Sequence, residues 1–324
     1  MNKELTLENA ARKNERHIVH IINPVSGSGF KFRRTKNRID ELGEDIYLTT
    51  KKQDCEDFIA ELLTKDPTAH IVAHGGDGTM REAASGIMAA NAGKTALFTG
   101  VPAGSGNDFL HYMYTVKNTF GKIYPTDLIL ANGRYSINIT NVGFDCAVVS
   151  EAERIRKIPG FGGSFSYIAG VASTLMKKES FKTEITFYGV ESFDGTKTHD
   201  ETLRGDFLIT AIANGRYYGG GFEVAPVADS SDGLLDVIAV KNISIPQFFN
   251  LVADFRKGAH INLETGKVKP KFRECLCLKK CRGVSFDGIR EVCCDGEIEK
   301  ADSLNAQIIP EAIMYTPPKK DWLL

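Results

Sequence analysis

In the segment His70–Thr79, HIVAHGGDGT, a short apolar run leads directly into a glycine-rich turn. An apolar run of this length bounded by glycines is typical of a buried strand. Residues 80–91, MREAASGIMAAN, then follow a helical pattern. Glycines allow positive φ and a close approach of backbone N–H groups to an anion, and the start of a helix favours phosphate. The sequence therefore predicts a strand, a phosphate-binding turn and a helix.

The same pattern occurs on both sides of this stretch. HIVHIIN (17–23) is a β-branched run that ends in the turn NPVSGSG, and ALFTGVPAGSGNDF (96–109) is a strand that ends in a glycine loop. The other elements predicted for this half are helices at 30–42 and 54–66, the second with Asp54 as N-cap, and a strand at 44–50. Strands that alternate with helices indicate a parallel sheet, whose ligands bind beyond the carboxyl ends of the strands. All three glycine loops are predicted at that edge.

The pattern changes after about residue 130, where short strands follow one another with turns between them. These strands are predicted in 134–149, 181–190, 203–221, 233–242, 274–280 and 283–288, with helices at 164–178 and 245–258. Such spacing favours an antiparallel, sandwich-like β domain. We therefore predict an α/β domain with a parallel sheet at 17–130 and a β-rich domain at 131–305. The C-terminal segment 306–324 is left free to pack back onto the first domain.

Composition and charge exclude several classes of protein. The 324 residues include 40 Lys and Arg and 41 Asp and Glu, for a net charge of −1. This balance argues against a dedicated nucleic-acid binder, which is usually strongly basic. No apolar run reaches the roughly 18 residues of a membrane span, and the charged first sixteen residues do not form a signal peptide. We expect a cytoplasmic protein, with a homodimer left open.

Five of the seven cysteines crowd the last third of the chain, at Cys275, Cys277, Cys281, Cys293 and Cys294. A zinc site is one interpretation, but the spacing lacks the paired C-x2-C knuckles of such sites. The alternation of cysteine with leucine at 275–278 favours strand residues in a core instead.

The three glycine loops carry the chemistry that the residues themselves indicate. Asp77 stands among amides suited to phosphate, which makes sense if a cation such as Mg²⁺ accompanies the phosphate. A plain tight turn is the alternative for any one loop, and three loops at one sheet edge disfavour it. No G-x-x-x-x-G-K-[ST] is present, and G-S-G-N-D-F departs from the Rossmann pattern after its second glycine.

The ordered set NPVSG, GGDGT, P-x-G-[ST]-x-N-D-F, D-G-x-L-D and D-G-E resembles the catalytic family of the diacylglycerol kinases, which includes sphingosine and ceramide kinases. GGDGT alone is shared with NAD kinases and phosphofructokinases, and the full set is far more specific. The resemblance spans about residues 17 to 315. It implies an NAD-kinase-like or phosphofructokinase-like α/β domain, ATP and Mg²⁺ as cofactors, and transfer of the γ-phosphate to a lipid hydroxyl, with diacylglycerol the preferred lipid.

The resemblance also implies which residues bind the nucleotide. They are Asn23, Pro24, Val25, Ser26, Gly27, Thr49, Gly76, Asp77, Gly78, Thr79, Glu82, Ser105 and Asn107. After GGDGT the family commonly has Asn-Glu one residue on, whereas this chain has Arg81-Glu82. Arg81 therefore replaces an amide next to the predicted phosphate turn.

Catalytic and metal-binding residues are implied in the same way. Glu297 would be the general base that takes the proton of the lipid hydroxyl, because a carboxylate can accept that proton as phosphorus is attacked. Asp295 would help to position Glu297 or Mg²⁺, and Asp77 of the nucleotide loops would be the third catalytic residue. Asp229, Asp232 and the carbonyl of Leu234 would hold a structural Mg²⁺. An acidic turn without a metal is the alternative there, and Asp127 would link this loop to the active site.

Two other functions remain open: a kinase of a soluble substrate, of the NAD-kinase type, and a non-catalytic nucleotide- or lipid-binding protein. D-G-x-L-D and D-G-E favour the lipid branch, and intact Asp77 and Glu297 speak against a non-catalytic protein. The basic residues around the segment IPGFGGSFSY predict peripheral contact with an anionic membrane. They are Arg154, Arg156, Lys157, Lys177 and Lys178. Phe161 and Phe165 are insertion candidates, and a role in the core or in helix packing is the alternative for these two aromatics.

Overall fold

The computed structural model describes residues 16–24, 29–104, 106–143, 180–191 and 199–323. Four predicted nucleotide-site residues lie outside these ranges: Val25, Ser26, Gly27 and Ser105. The helix predicted at 164–178 and the basic membrane patch that flanks it also lie outside. Within the described residues, no helix is long and apolar enough to cross a membrane.

The first half is a parallel sheet with helices between its strands. The strands are β1 (Ile18–Ile22), β2 (Asp45–Leu48), β3 (His70–Gly75) and β4 (Leu97–Pro102), and they lie side by side in the order β2-β1-β3-β4. The helices are α1 (Gly29–Leu42), α2 (Asp54–Lys65), α3 (Asp77–Ala89) and α4 (Asp108–Val116). Every residue of β3 is buried, as its apolar run predicts. The predicted parallel α/β half is therefore confirmed.

Two local features of this half concern helix α2: the residue at which it begins and its contact with α3. Helix α2 begins at Asp54 itself, so the prediction of Asp54 as N-cap is wrong. The Asp54 carboxylate instead accepts hydrogen bonds from the Thr50 N–H at 2.6 Å and the Tyr47 hydroxyl at 3.0 Å. Gly86 lies where α3 meets α2, and a Cβ there would be 2.7 Å from the Glu56 carbonyl oxygen. The glycine lets the two helices approach closely.

The second half is antiparallel and consists mainly of strands. Its strands are β5 (Tyr124–Ala131), β6 (Arg134–Ser136), β7 (Ile139–Gly143), β8 (Phe181–Tyr188), β9 (Glu201–Ala213), β10 (Tyr217–Tyr218), β11 (Phe222–Glu223), β12 (Leu235–Lys241), β13 (Ile261–Asn262), β14 (Lys267–Val268), β15 (Leu276–Cys281), β16 (Gly283–Asp287), β17 (Glu291–Cys294), β18 (Glu297–Lys300) and β19 (Ser303–Tyr315). Helix α5 (Ile245–Phe255) is shorter than predicted, and 3₁₀ turns lie at Pro270–Phe272 and Lys320–Trp322. The long strand β9 pairs antiparallel with β7, β8 and β12. The predicted antiparallel β domain is confirmed.

Strand β19 joins the two halves into one sheet. Its first residues pair antiparallel with β16, and from Ala306 to Tyr315 it pairs antiparallel with β5. Met314 and Tyr315 at its end also pair parallel with β4. The register shifts between Ile309 and Ile313, where Glu311 has a φ of 49°. Beyond it, the Trp322 ring contacts the rings of His20 and His70 edge-on. The last strand therefore packs into the cores of both halves, with Leu304 and Ile308 in one and Ile313 and Tyr315 in the other.

The clustered cysteines belong to strands β15 and β17, with Cys275 directly before β15. Cys281, Cys293 and Cys294 are buried. Burial raises the pKa of the Cys281 thiol to about 12 and that of Cys294 to about 11. These thiols are therefore protonated at neutral pH and pack as small apolar residues.

Candidate active site

The glycine turns after β3 and β4 pack directly on each other. Asp77 N–H donates to the Gly106 carbonyl at 3.2 Å, and Ala103 N–H donates to that of Gly75 at 3.0 Å. A Cβ on Gly76 would lie 2.6 Å from the Gly106 carbonyl oxygen, and one on Gly104 would collide with the Gly76 backbone. None of these glycines has a positive φ. Close backbone approach, and not a left-handed conformation, therefore requires glycine at Gly76 and Gly104.

Asp77 ties the two turns together through its side chain. One carboxylate oxygen accepts the Asp108 N–H and the other accepts the Phe109 N–H, each at 3.1 Å. Both amides belong to the first turn of α4, where a carboxylate is favoured by unsatisfied N–H groups and by the helix dipole. Burial, together with the nearby Asp108 and Asp295, raises the pKa of Asp77 to about 6. Asp77 is thus a helix cap as well as a predicted site residue.

Asp108 is a residue that the sequence analysis did not single out. Its carboxylate accepts the Gly220 N–H at 2.9 Å, which holds the turn between β10 and β11 against the start of α4. Burial raises the pKa of Asp108 above its usual range. Its position in the N-D-F motif was the available signal. Asp108 therefore connects the antiparallel half to the glycine turns of the parallel half.

The other described residues of the predicted nucleotide site lie along the same sheet edge. Asn23 N–H donates to the His74 carbonyl at 3.4 Å, and Thr49 N–H donates to that of Ile22 at 3.0 Å. Pro24 is the last residue described before the gap at 25–28. A Cβ added to Gly78 would meet no atom within 4 Å, so the backbone there is open to a ligand.

Three of the predicted nucleotide residues make contacts within the protein. Thr79 packs its side chain against Gly75. The Asn107 amide bonds both backbone groups of Gly104, at 2.8 and 3.3 Å, and so closes the second glycine turn. Glu82 accepts the Gln53 N–H at 3.2 Å, and burial raises its pKa. These side chains shape the edge of the sheet.

The D-G-E turn brings its two acids into different surroundings. Asp295 has a φ of 48°, and its carboxylate accepts the N–H groups of Ile137, Asn138 and Ile139 at 2.8 to 3.0 Å. Burial raises its pKa, although these hydrogen bonds favour the charged form. The carboxylate therefore holds the start of β7. Asp295 is also close enough to raise the pKa of Asp77.

Glu297 faces the parallel half and is surrounded by cations. Its Oε2 lies 2.9 Å from Arg81 Nη2, 3.3 Å from Lys52 Nζ and 3.3 Å from Arg134 Nη2. Burial would raise the pKa of this carboxyl, but Arg81, Lys52 and Arg134 outweigh burial, so the pKa lies below its ordinary value. The structure thus brings Glu297 against α3, the helix that follows the first glycine turn. Sequence reasoning noted Arg81 as unusual but could not name its partner, which is remote in the chain.

The loop predicted to hold a structural Mg²⁺ is occupied by lysine side chains. Lys117 Nζ lies 2.8 Å from Asp229, and Lys280 Nζ lies 2.7 Å from Asp232 and 2.8 Å from Asp236. Asp232 also accepts the Leu234 N–H at 3.0 Å. Within the described ranges, no three His, Cys, Asp or Glu residues are grouped so as to hold a metal ion. The donor set of this loop does not fit a divalent cation as it stands.

Asp127 anchors the same loop to the rest of the fold. Its carboxylate accepts the Gly233 N–H at 2.8 Å and the Glu311 N–H at 2.6 Å. Burial raises its pKa to about 6, and Asp232 and Asp229 add to the effect. On the other side, Ser230 N–H donates to the Tyr112 hydroxyl of α4 at 3.0 Å. The loop is therefore connected to β19 and to the helix that Asp77 caps.

Two family models match the chain in succession. The diacylglycerol kinase catalytic domain matches residues 17–140, and the YegS C-terminal NAD kinase beta sandwich-like domain matches residues 138–316. Together they cover both glycine turns, the lysine-filled loop and the D-G-E turn. The junction between the matches falls at the start of β7, where Asp295 binds the backbone.

Curated relatives and solved structures agree with these matches. A protein of Shewanella frigidimarina named "Probable lipid kinase YegS-like" is 26% identical over 314 residues, which are 93% of this chain and 94% of the relative. A protein of the same name from Pseudomonas syringae pv. syringae is 31% identical over 60% of each chain. A crystal structure of a diacylglycerol kinase from Bacillus anthracis has a TM-score of 0.62 and 19% identity, over 93% of this chain and 96% of that one. At that identity, the structural likeness concerns the fold.

Proposed function

Because the chain belongs to the lipid kinase family that combines a diacylglycerol kinase catalytic domain with a YegS C-terminal domain, we propose that its lipid substrate is diacylglycerol. Kinases of this family use ATP, so the reaction moves the γ-phosphate to the free hydroxyl of the lipid. The preference for diacylglycerol rests on the catalytic-domain match and on the ordered motifs of the sequence. The assignment as a lipid kinase holds whichever lipid is the substrate.

One observation carries the proposed mechanism: Glu297 of the antiparallel half lies 2.9 Å from Arg81 on the helix that follows GGDGT. A carboxylate from one half thus faces the nucleotide loops of the other. We assign Glu297 as the general base, which accepts the hydroxyl proton while the lipid oxygen bonds to the γ-phosphorus and the bond to ADP breaks. Because its pKa is lowered, Glu297 is ionised and ready to accept a proton at neutral pH.

The nucleotide is proposed to lie along the carboxyl edge of the parallel sheet. Its phosphates would meet the backbone around Gly76 and Gly78, with Asn23 and Thr49 beside them, since amides at a helix start favour phosphate. Burial is the main cause of the raised pKa of Asp77, and the neighbouring Asp108 and Asp295 add to it. Such acidic neighbours suit a cation that arrives with the nucleotide. Asp77 would hold that Mg²⁺, and Mg²⁺ when bound neutralises charge on the phosphate oxygens. Asp295 positions Glu297 through the rigid turn that its carboxylate anchors.

A lipid panel tests the substrate. Purified protein is incubated with radiolabelled ATP and Mg²⁺ in mixed micelles, each containing diacylglycerol, a sphingoid base, a phospholipid with a headgroup hydroxyl, or no lipid. A parallel reaction without micelles contains NAD as a soluble acceptor. We expect label in the diacylglycerol product, and none when Glu297→Gln replaces the parent. Preferential labelling of another lipid would overturn diacylglycerol while leaving the lipid kinase activity in place. Label in a soluble acceptor such as NAD would favour the alternative kinase class.

We further propose peripheral contact with an anionic membrane, because the substrate resides in one. The support is the basic segment around 154–178 in the sequence, which lies outside the described residues. Charge-driven contact weakens as salt screens it. Sedimentation with anionic vesicles should therefore show binding that falls between low and high salt, and equal binding to neutral vesicles would contradict the proposal.

A further inference from the structure

Arg81 is a charged side chain held almost out of water beside the proposed base. Its side chain is 5% exposed, and it extends from α3 toward the D-G-E turn of the other half. Its Nη2 lies 2.9 Å from Glu297, whereas its buried Nε has no hydrogen-bond partner in the described structure. Burying a guanidinium is costly unless it is paired, so the ion pair with Glu297 compensates the burial of Arg81.

The three cations around Glu297 are not equivalent. Lys52 is 73% exposed, and Arg134 is 30% exposed and shared with Glu299. An ion pair with an exposed lysine contributes little, because water and salt screen it. The interaction with Arg81 takes place in a region of lower effective dielectric constant, where the same distance gives a larger energy. Arg81 should therefore dominate the electrostatic environment of Glu297.

The remaining charges near Glu297 are negative. Glu56 and Glu82 lie on α2 and α3; burial raises the pKa of each, and the nearby Glu297 adds to the rise. Glu299 follows on β18 and pairs with Arg134. Without Arg81, Glu297 would face burial and these three carboxylates with only the two more exposed cations to oppose them. Its proton affinity would then rise.

We propose that Arg81 is a positioning residue that holds Glu297 ionised and directed toward α3, at the boundary between the two halves. This inference rests on the proposed role of Glu297 as base. The chemical balance is unchanged by Arg81: the hydroxyl proton goes to Glu297, the lipid oxygen bonds to phosphorus, and ADP leaves. Arg81 remains charged throughout. Pairing with Arg81 also makes Glu297 a weaker base, because a carboxylate with a lowered pKa attracts the proton less strongly.

The test is the pH dependence of lipid phosphorylation in Arg81→Met, with Arg134→Met and Lys52→Met as matched controls. Methionine keeps a long apolar side chain without the charge. In Arg81→Met we expect the acid limb of kcat/KM to move to higher pH, with about a tenfold loss at pH 6, a factor worth ~1.4 kcal/mol. The loss should shrink on the alkaline plateau, where Glu297 is ionised again. Arg134→Met should shift less, and Lys52→Met least.

A purely structural role would lower the rate equally at every pH, and that result would overturn the proposal. Equal shifts in all three variants would also overturn it. Arg81→Lys keeps the charge and should restore the acid limb, which protects the test if Arg81→Met folds poorly. The carboxyl ¹³C signal of Glu297, assigned by its loss in Glu297→Gln, reports its pKa directly. If Glu297→Gln is fully active, the base assignment fails, while an unchanged Glu297 titration in Arg81→Met would reject the role of Arg81 separately.

Discussion

The turn Asp295–Glu297 and the loop Asp229–Asp236 look alike in sequence but lie in opposite kinds of surroundings. Both are acidic, both contain a glycine, and both belong to the antiparallel half. Glu297 is paired mainly with Arg81, a residue of the other half that follows the first glycine turn. Asp232 and Asp236 share Lys280 of the neighbouring strand β15. The first turn therefore lies at the boundary between the two halves, whereas Lys280 holds Asp232 and Asp236 within the antiparallel half. Asp229 of the same loop pairs with Lys117, which follows α4.

The difference shows that an acidic turn acquires its role from the cations that face it. A cation supplied by another half of the molecule leaves the carboxylate at a boundary where a substrate can enter. A lysine supplied by the adjacent strand closes the carboxylates off within one sheet. Four changes test this contrast, from the largest expected effect to the smallest.

Glu297→Gln should give the largest effect and should act on turnover. We expect kcat to fall by roughly 10²–10⁴, the usual contribution of a general base, with little change in ATP affinity. Glutamine keeps the size but cannot take the proton at neutral pH. Steady-state kinetics at saturating lipid give the ratio, and Glu299→Gln is the control expected to stay near the parent. A weakened affinity for MgATP with kcat nearly intact would instead assign Glu297 an electrostatic role.

Lys280→Met should act on stability and leave turnover nearly intact. Removing one partner of a buried ion pair typically costs about 3–5 kcal/mol, because Asp236 stays buried with its charge unpaired. Burial already raises the pKa of Asp236 to about 6 in the parent. A protonated Asp236 needs no cation, so the cost should be largest above pH 6 and smaller near pH 5.

Chemical denaturation at pH 8 and pH 5 measures this cost. Lys279→Met on the same strand is the control, since the pair of Lys279 with Glu201 is partly exposed and should contribute less than about 1 kcal/mol. Equal costs for Lys279→Met and Lys280→Met would contradict the assignment of a buried pair. A loss of kcat in Lys280→Met without a loss of stability would show that the loop Asp229–Asp236 contributes to catalysis, as the D-G-E turn does.

Asp77→Asn should lower both turnover and stability, turnover less than Glu297→Gln does and stability less than Lys280→Met does. We expect more than a tenfold loss of kcat, and a loss of about 1 kcal/mol of stability because the cap of α4 is weakened. The folded pKa of Asp77, about 6, lies above its unfolded value, so the native state binds the extra proton and ionisation costs stability. The stability deficit of Asp77→Asn should therefore narrow as pH rises from about 4 to about 6. If Asp77→Asn retains more than a tenth of the parent kcat, Asp77 has no catalytic role.

Magnesium should give the smallest effect in the absence of nucleotide. The lysines occupy Asp229 and Asp232, so the melting temperature should be the same in EDTA and in millimolar Mg²⁺, whereas a bound ion would raise it. Thermal unfolding of the parent and of Asp232→Ala makes the comparison. A rise in the parent that Asp232→Ala abolishes would place a metal in the loop and erase part of the contrast.

The sequence allowed the local features of the fold to be predicted because they depend on short-range patterns. The buried run of β3, the alternation of strands with helices and the antiparallel second half all follow from periodicity and glycine placement. The insertion of β19 between β16 and β4 could not be predicted this way. Its partners are remote in the chain, and no local pattern specifies them.

In the candidate site, too, the residues could be predicted from local motifs, whereas their long-range partners could not. The motifs indicated Asp77 and Glu297, but the pairing of Glu297 with Arg81 and that of Asp232 with Lys280 depend on long-range contacts. The glycine turns were identified correctly as a feature, yet close packing between two loops, visible only in three dimensions, is what requires glycine at Gly76 and Gly104. Short motifs report residue types, whereas their partners depend on topology.

The placement of β19 also constrains the order in which the protein can fold during synthesis. The parallel half leaves the ribosome first, but the strand that covers the edge of β4 is made after every other strand described. Until then β4 presents unpaired backbone groups, and such an edge is a template for aggregation. Domain-by-domain folding from the N-terminus is therefore incomplete here. The parallel half of the nascent chain therefore keeps an unpaired edge at β4 until its last strand has been made.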